Sequence, residues 1–353
     1  MDKEHTSKTL LFHVLQNSII IAQLKINSNV IMTTLADWTP LDSKYCLFFG
    51  AGFSKWAANL PTAVELFDFN IEPWGPREEK RLEDIKKIKI SWDIENPNGN
   101  PEEFIRELIE SGPKESKLVH WYICRRLADP FIRVDHYRGK SERHVLMIDE
   151  YRKYEIQGVK EAQRFIEPLL NASLEGIITT NYDLLIEYAL GTKRFNYGRR
   201  GSILHGRGAY PVSTWRSPVM LEGPLPLIKL HGSISLTEEG YCTDGRGGIT
   251  GKAIIIPPTQ NKKIMGFVTQ EWKYAEEILD KSRTIIFFGF AFNEYDQSIL
   301  SLLRGTGEQI KKIILINRNP ATQQHAQIIW PSAEVILVKP DGIKEFSIQN
   351  LFR

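Results

Sequence analysis

Short apolar runs alternate along the chain with stretches of helical period. Seven runs read as strands: 45–49, 176–180, 227–230, 253–257, 284–288, 312–317 and 334–338. They are continuously apolar or β-branched instead of alternating, the pattern of strands covered on both faces. Polar segments with apolar residues at helical spacing follow several of them, at 183–190, 271–281, 295–304 and 343–351. Strand and helix in alternation predict an α/β fold, a Rossmann-like, doubly wound and mostly parallel sheet.

Between the first two strands the pattern changes. Residues 77–90 are a charged helical stretch, and the turn cluster 97–101 leads into "PEEFIRELIE", where Pro101 suits a first helical turn with Glu102 and Glu103 at its positive end. Residues 115–130 and 159–170 also have helical character. The segment 55–170 is therefore expected to be a large helical insertion packed on the sheet as a lid or second lobe. A further irregular stretch, 191–226, is rich in Gly, Arg, Tyr and Pro. Residues 1–40 are expected to be an N-terminal arm, and 41–353 the main domain. The arm lacks a basic start and a clean apolar core, so it does not read as a secretory leader.

Composition narrows the function classes. Lys and Arg number 45 against 43 Asp and Glu, a net charge of +2, too balanced for nucleic acid or a membrane surface to be the main partner. The three cysteines, Cys46, Cys124 and Cys242, lie far apart in the sequence. Such spacing offers neither a Cys-x-x-Cys pair nor a zinc shell, so no metal is expected, and it fits a reducing, cytoplasmic compartment. No apolar run reaches the length of a membrane helix.

In an open α/β sheet, ligands bind beyond the carboxyl ends of the strands. The first strand is followed by "GAGFS", the second by "TTNYD", the third by "HGS", the fifth by "GFAFNEYD" and the sixth by "NRNP". Gly50 and Gly52 permit a tight turn into a helix whose first N–H groups can face a phosphate, although a turn without a ligand reads the same way. Small or polar residues at five strand ends favour the ligand. A dehydrogenase fingerprint fails: Lys55 stands where the third glycine belongs, and Asp68 and Glu72 do not end a second strand. The full Walker phosphate-loop pattern is also absent.

The ordered set "GAGFS", "TTNYD", "KLHGS", "GFAF" and "INRNP" resembles the sirtuin-like family, and within it the bacterial NAD+-hydrolysing branch of antiphage defence proteins. The resemblance runs from about residue 45 to 338 and implies a Rossmann-like sheet with NAD+ in its crevice. It further implies that Gly50, Ala51, Gly52 and Ser54 form the phosphate turn, and that Thr180, Asp183, Gly289, Phe290 and Asn317 lie against the nucleotide. Asn181 and His231 match the catalytic positions. Two departures set the chain apart from protein-deacylating relatives. Three scattered cysteines cannot build their four-cysteine zinc module, and "KWAANLPTA" replaces their Pro- and Arg-containing stretch after the glycine turn.

Cleaving the bond between nicotinamide and ribose builds positive charge on the sugar. An amide at position 181 can donate to or accept from a ribose hydroxyl or water, and His231 can take a proton near neutral pH. Each residue also has a plainer reading. Asp183 is placed to cap the helix after it, Asn181 to shape a turn, and His231 to end a strand. His205 repeats the Leu-His-Gly context in a Gly/Arg-rich loop, and the basic run 191–200 reads as a solvated face.

The expected function is an NAD+ glycohydrolase that yields nicotinamide and ADP-ribose and acts in antiphage defence by depleting NAD+. Two alternatives stand beside it: an NAD+ or ADP-ribose sensor without turnover, and a deacylase or ADP-ribosyltransferase. The sheet motifs run to about residue 338 with a short helix after them, so no sensor domain is expected there. Control is then expected in trans, through a homo-oligomer and a separate partner, for which the resemblance offers a HerA-like ATPase or an Argonaute-type protein.

Overall fold

The run Tyr45–Phe49 forms strand β1 with all five residues buried, because it lies between parallel neighbours on both sides. The computed structural model describes residues 43–343, apart from 138, 147, 149–155, 157, 199–201, 205–218, 222, 239, 243–252, 257–267 and 342. The expected arm 1–40, His205, Pro257 and all but the first residue of the expected helix 343–351 lie outside the described residues.

After β1 come α1 (Ala51–Ala58), α2 (Pro76–Glu95), α3 (Pro101–Ser111) and α4 (Pro113–Ala128), then strands β2 (Ile132–Tyr137) and β3 (Lys140–Val145), and α5 (Val159–Ile166). The chain returns to the sheet through β4 (Leu174–Thr179), α6 (Leu185–Leu190), β5 (Phe195–Asn196) and β6 (Leu225–Lys229). Two short strands, β7 (Gly232–Ser233) and β8 (Ile254–Ile255), precede α7 (Thr269–Lys281). The last part is β9 (Thr284–Phe288), α8 (Gln297–Arg304), β10 (Lys312–Ile316), α9 (Ala321–Ile329) and β11 (Glu334–Val338). Among the described residues seven strands form one parallel sheet in the order β11-β10-β9-β1-β4-β6-β5. The expected Rossmann-like α/β architecture is therefore present.

Three differences from the sequence reading have local causes. The run 253–257 supplies no strand to the main sheet. Only β8 forms, antiparallel to β7, and the N–H of Ile256 donates to the carbonyl of His231 at 2.8 Å. Gly232, at φ 77°, turns the chain so that its backbone meets this run outside the sheet. The insertion is not wholly helical, since β2 and β3 pair as an antiparallel hairpin around Gly139, at φ 74°. The tripeptide Gly139-Lys140-Ser141 carries the Gly-Lys-Ser ending of a Walker loop, but it runs from the hairpin turn into β3 and no helix N-terminus follows it. Finally, the basic run 191–200 hides the sheet's edge strand: Phe195 and Asn196 are buried, while Arg194 pairs with Glu167 at 2.9 Å.

Strands β1 and β9 are adjacent, in register, and both end in Phe-Phe-Gly, with Phe48 opposite Phe287 and Phe49 opposite Phe288. Alternation sends the two pairs to opposite faces. On one face Phe49, Phe53 and Phe288 cluster, with ring centroids 4.2 and 5.2 Å apart. On the other, Phe48 packs against Phe287 at 5.1 Å and Phe290 at 5.0 Å. The two turns that follow touch through their backbones. Gly50 N–H donates to the carbonyl of Phe288, and Gly52 N–H to that of Gly289, both at 3.0 Å. A Cβ on Gly52 would lie 2.6 Å from Gly289 Cα, and one on Gly289, whose φ is 67°, would lie 2.3 Å from Phe53 N.

A buried ion pair braces the next strand end. Lys229, at the end of β6, meets Glu187 of α6 at 2.8 Å with both side chains fully buried. Lys229 Nζ also donates to the backbone carbonyl of Asp183, and Tyr197 donates to Glu187 at 3.1 Å. Burial pushes the Glu187 carboxyl above its ordinary range, and Lys229 pulls it back down. The insertion is braced internally by arginines. Arg126 forks onto Asp68 at 2.9 and 2.6 Å, and Arg125, buried, reaches Asp129 at 2.7 Å and the carbonyl of Glu72 at 2.6 Å.

Gly52→Ala is expected to cost about 1–3 kcal/mol from overpacking, although alanine is the better helix former. Gly75→Ala, where a Cβ meets nothing within 4 Å, is expected to stay within about 0.5 kcal/mol of the parent. Urea midpoints of the two variants check the contrast. Lys229→Met leaves Glu187 buried without its cation and is expected to cost about 3–5 kcal/mol, most of it recovered in Lys229→Met/Glu187→Leu. The same denaturation measurement, run as a double-mutant cycle, tests this.

Candidate functional site

The strand ends converge on a cleft of about 140 Å³. Ala51 and Ser54 of α1 form one side, and Thr180, Asn181, Tyr182 and Asp183, between β4 and α6, form the floor. His231 enters from beyond β6 and Asp296 from beyond β9. The insertion closes the remaining side with Glu102 at the start of α3 and Ile123 and Leu127 of α4. Glu102 is held there by a helix cap, since Asn100 Oδ1 accepts its N–H at 2.9 Å.

Asn181 and Ser54 are joined by a short network. Asn181 Nδ2 donates to the carbonyl of Gly50 at 3.0 Å and to Ser54 Oγ at 2.9 Å. Ser54 Oγ in turn donates to Asp183 Oδ2 at 2.8 Å. Because a carbonyl can only accept, Gly50 fixes which way the amide faces. Both N–H bonds of Asn181 are committed inward, and its Oδ1 is the atom left for the cleft. Asp183 has both oxygens engaged: Oδ1 accepts the N–H of Leu185 at 2.9 Å. Asp183 stands one residue ahead of the N-cap of α6, which is Leu184, so it shapes the entry to the helix and links it to Ser54.

His231 sits at the turn into β7, 4% exposed. Its Nε2 lies 3.8 Å from Asp296 Oδ1, and its ring centroid lies 6.2 Å from that of Tyr182. Tyr182 Oη donates to the carbonyl of Ile256. Burial, with the charges of Asp296 and Glu102 behind it, holds this phenol well above its ordinary pKa, so it stays protonated.

The eleven residues singled out from the sequence therefore separate into two groups. Ala51, Ser54, Thr180, Asn181, Asp183 and His231 line the cleft. Gly50 reaches it only through its carbonyl, and Gly52 and Gly289 are used in the contact between turns. Phe290, 4% exposed, packs in the aromatic cluster. Asn317 ties the end of β10 to the carbonyl of Phe290 at 2.8 Å and accepts the N–H of Asn319 at 3.0 Å. At the start of α1 the Gly50 and Gly52 N–H groups are bonded to the neighbouring turn, and Ala51 between them lines the cleft. Glu102, Tyr182, Asp296 and the Lys229–Glu187 pair were not singled out. Asp296 follows a strand end, a signal that was available; Glu102 arrives from the insertion, where no sequence pattern points to the cleft.

The cysteines are all buried, and burial raises the Cys46 thiol to about 12. Among the described residues no group of three or more His, Cys, Asp or Glu side chains is placed to hold a metal ion, and no helix is long and apolar enough to cross a membrane.

No curated protein matches the chain. Several solved structures are similar to it at low identity. One, described as showing the structural basis for the mechanism and regulation of Sir2 enzymes, has 13% identity and a TM-score of 0.42, covering 88% of this chain and 92% of the other. A mutant Sir2 homologue with an O-acetyl ADP-ribose has 15% identity, a TM-score of 0.43 and the same coverage. A Sir2 homologue in complex with NAD has 16% identity, a TM-score of 0.37, and covers 88% and 90%. Residues 175–337, which include Asn181, Asp183, His231 and Asp296, match the family profile described as a SIR2-like domain.

Proposed function

We propose that the cleft hydrolyses NAD+ to nicotinamide and ADP-ribose. The observation that carries this reading is the Asn181 amide, locked by Gly50 and Ser54 so that it offers an acceptor in the same cleft as His231. Two acceptors in one cleft suit a reaction in which hydroxyl groups must be held and a proton removed while the sugar carbon gains positive charge. Asn181 Oδ1 accepts from a ribose hydroxyl or the incoming water. His231 takes the proton. The carboxylates of Glu102 and Asp296 make the cleft electronegative, which favours a cationic sugar centre.

The described cleft is smaller than the ~300–1,000 Å³ of sites that enclose a whole ligand. It therefore takes the nicotinamide-ribose end, with the phosphates passing the N-terminus of α1. There Ala51 N–H and the helix dipole supply the anion contact. In this assignment the glycines serve by bringing the two turns together, and Asp183 serves by holding Ser54. The match of residues 175–337 to a SIR2-like domain supports the use of NAD+. Hydrolysis is preferred over acyl transfer because the scattered, buried cysteines cannot build the zinc module of the deacylating relatives.

Incubation of the full chain with NAD+ is expected to release nicotinamide without an acylated peptide. Asn181→Ala and His231→Ala are each expected to lower turnover by about a hundredfold to ten-thousandfold with unchanged circular dichroism. Expression in bacteria is expected to deplete cellular NAD+ for the parent and not for Asn181→Ala, in keeping with a role in antiphage defence. Wild-type turnover in either folded variant sinks its assignment, and absence of nicotinamide release sinks the reaction.

Unchecked NAD+ hydrolysis is toxic, so the proposal includes control in trans by self-association and a separate partner protein. Size-exclusion chromatography with light scattering is expected to show a homo-oligomer. A monomer that is fully active alone, and harmless when expressed, would remove this part of the proposal.

A further inference from the structure

The segment after β9 reads Gly-Phe-Ala-Phe-Asn-Glu-Tyr-Asp, residues 289–296, and bends into the left-handed region twice: Gly289 has φ 67° and Phe292 has φ 54°. Glycine adopts that conformation freely. A phenylalanine holds it at a cost of about 1–3 kcal/mol, a strain that persists only where packing over-determines it. Packing does so here. The Phe292 ring is 3% exposed, 5.0 Å from Phe287 and 4.9 Å from Phe290. The chain then closes a tight turn. Asn293 Oδ1 accepts the N–H of Tyr295 at 3.1 Å, and the carbonyl of Asn293 accepts the N–H of Asp296 at 2.9 Å.

The product of the strained turn is the placement of one carboxylate. Asp296 lies at the cleft with its Oδ1 3.8 Å from His231 Nε2. That separation is too long for a hydrogen bond and lies at the outer edge of ion-pair distance, so its attraction develops when the imidazole gains a proton. Other groups facing the cleft around His231 are Tyr182, whose phenol stays protonated, and the carboxylates of Glu102 and Asp183. Asp183 is engaged by Ser54 and Leu185, and Glu102 comes from the insertion across the cleft.

We infer that Asp296 is the positioning residue for His231, orienting the ring and stabilising it once it has accepted a proton. The inference rests on the reading of His231 as the proton acceptor. In that step an O–H bond of a ribose hydroxyl or water breaks and an N–H bond forms on the imidazole, and the proton goes to His231 and not to Asp296. A strained turn beyond β9 thereby couples that strand end to the chemistry of β6.

The test is a proton NMR titration of the histidine Cε1–H signals of the full chain, with the His231 signal identified by its loss in His231→Ala. Asp296→Asn is expected to lower the His231 midpoint by about one unit, since removing a nearby negative charge favours the neutral ring. Its kcat is expected to fall about tenfold with KM little changed, and the acid limb of the kcat profile to move to lower pH. Asp296→Glu is expected to keep the midpoint close to that of the parent and restore most of kcat. A His231 midpoint that does not move in folded Asp296→Asn overturns the inference, as does parental turnover in that variant. If the parent releases no nicotinamide, the hydrolysis reading fails, and the titration still decides whether Asp296 is coupled to His231.

Discussion

The structure depends on a contact between two backbones. The turns after β1 and β9 lie so close that no Cβ fits between them at positions 50, 52 and 289. This contact sets the direction of α1, because Gly52 N–H is spent on Gly289 and the helix must start from that point. It also brings the carbonyl of Gly50 to Asn181, and the carbonyl dictates the orientation of the amide. The aromatic clusters on the two faces of the sheet hold the strands in the register that makes the approach possible. The glycines thus shape the cleft through their backbones.

Asn181 is held from a second direction by charge. The segment between β4 and α6 is also braced by Lys229, which reaches from β6 to the carbonyl of Asp183 and to Glu187. A buried pair of this kind adds little net stability compared with apolar residues of the same shape, but it penalises any arrangement that separates its members. Here the penalised arrangements are those that displace Asp183. Asp183 holds Ser54, and Ser54 holds Asn181, so rigidity passes from a buried ion pair to an atom in the cleft.

Much of the sheet was legible because its inner strands are buried on both faces and so contain few polar interruptions. The boundaries at 45–49, 284–288 and 334–338 agree with the strands observed. The run 253–256 is ambiguous in the sequence: four apolar residues in a row mark burial, and burial beside His231 outside the main sheet looks the same as burial within it. The edge strand Phe195–Asn196 is too short to show a pattern. The hairpin of the insertion lacks an Asn-Gly or Asp-Gly turn, the strongest hairpin signal.

The sequence by itself determined the fold class and the strand ends at which polar residues gather, because hydrophobic period and glycine position are local properties of the chain. It also pointed to Asn181 and His231, which stand directly after strands. Only the tertiary structure decided what those residues offer. Whether an amide donates or accepts depends on which partner occupies its other side, and for Asn181 that partner is a carbonyl more than a hundred residues away. The same holds for Glu102 and Asp296, which reach the cleft from different parts of the chain, and for Phe290 and Asn317, whose contacts serve the framework. Side-chain chemistry is written in the sequence, but the direction of a hydrogen bond and the sharing of a cleft are set by distance in space.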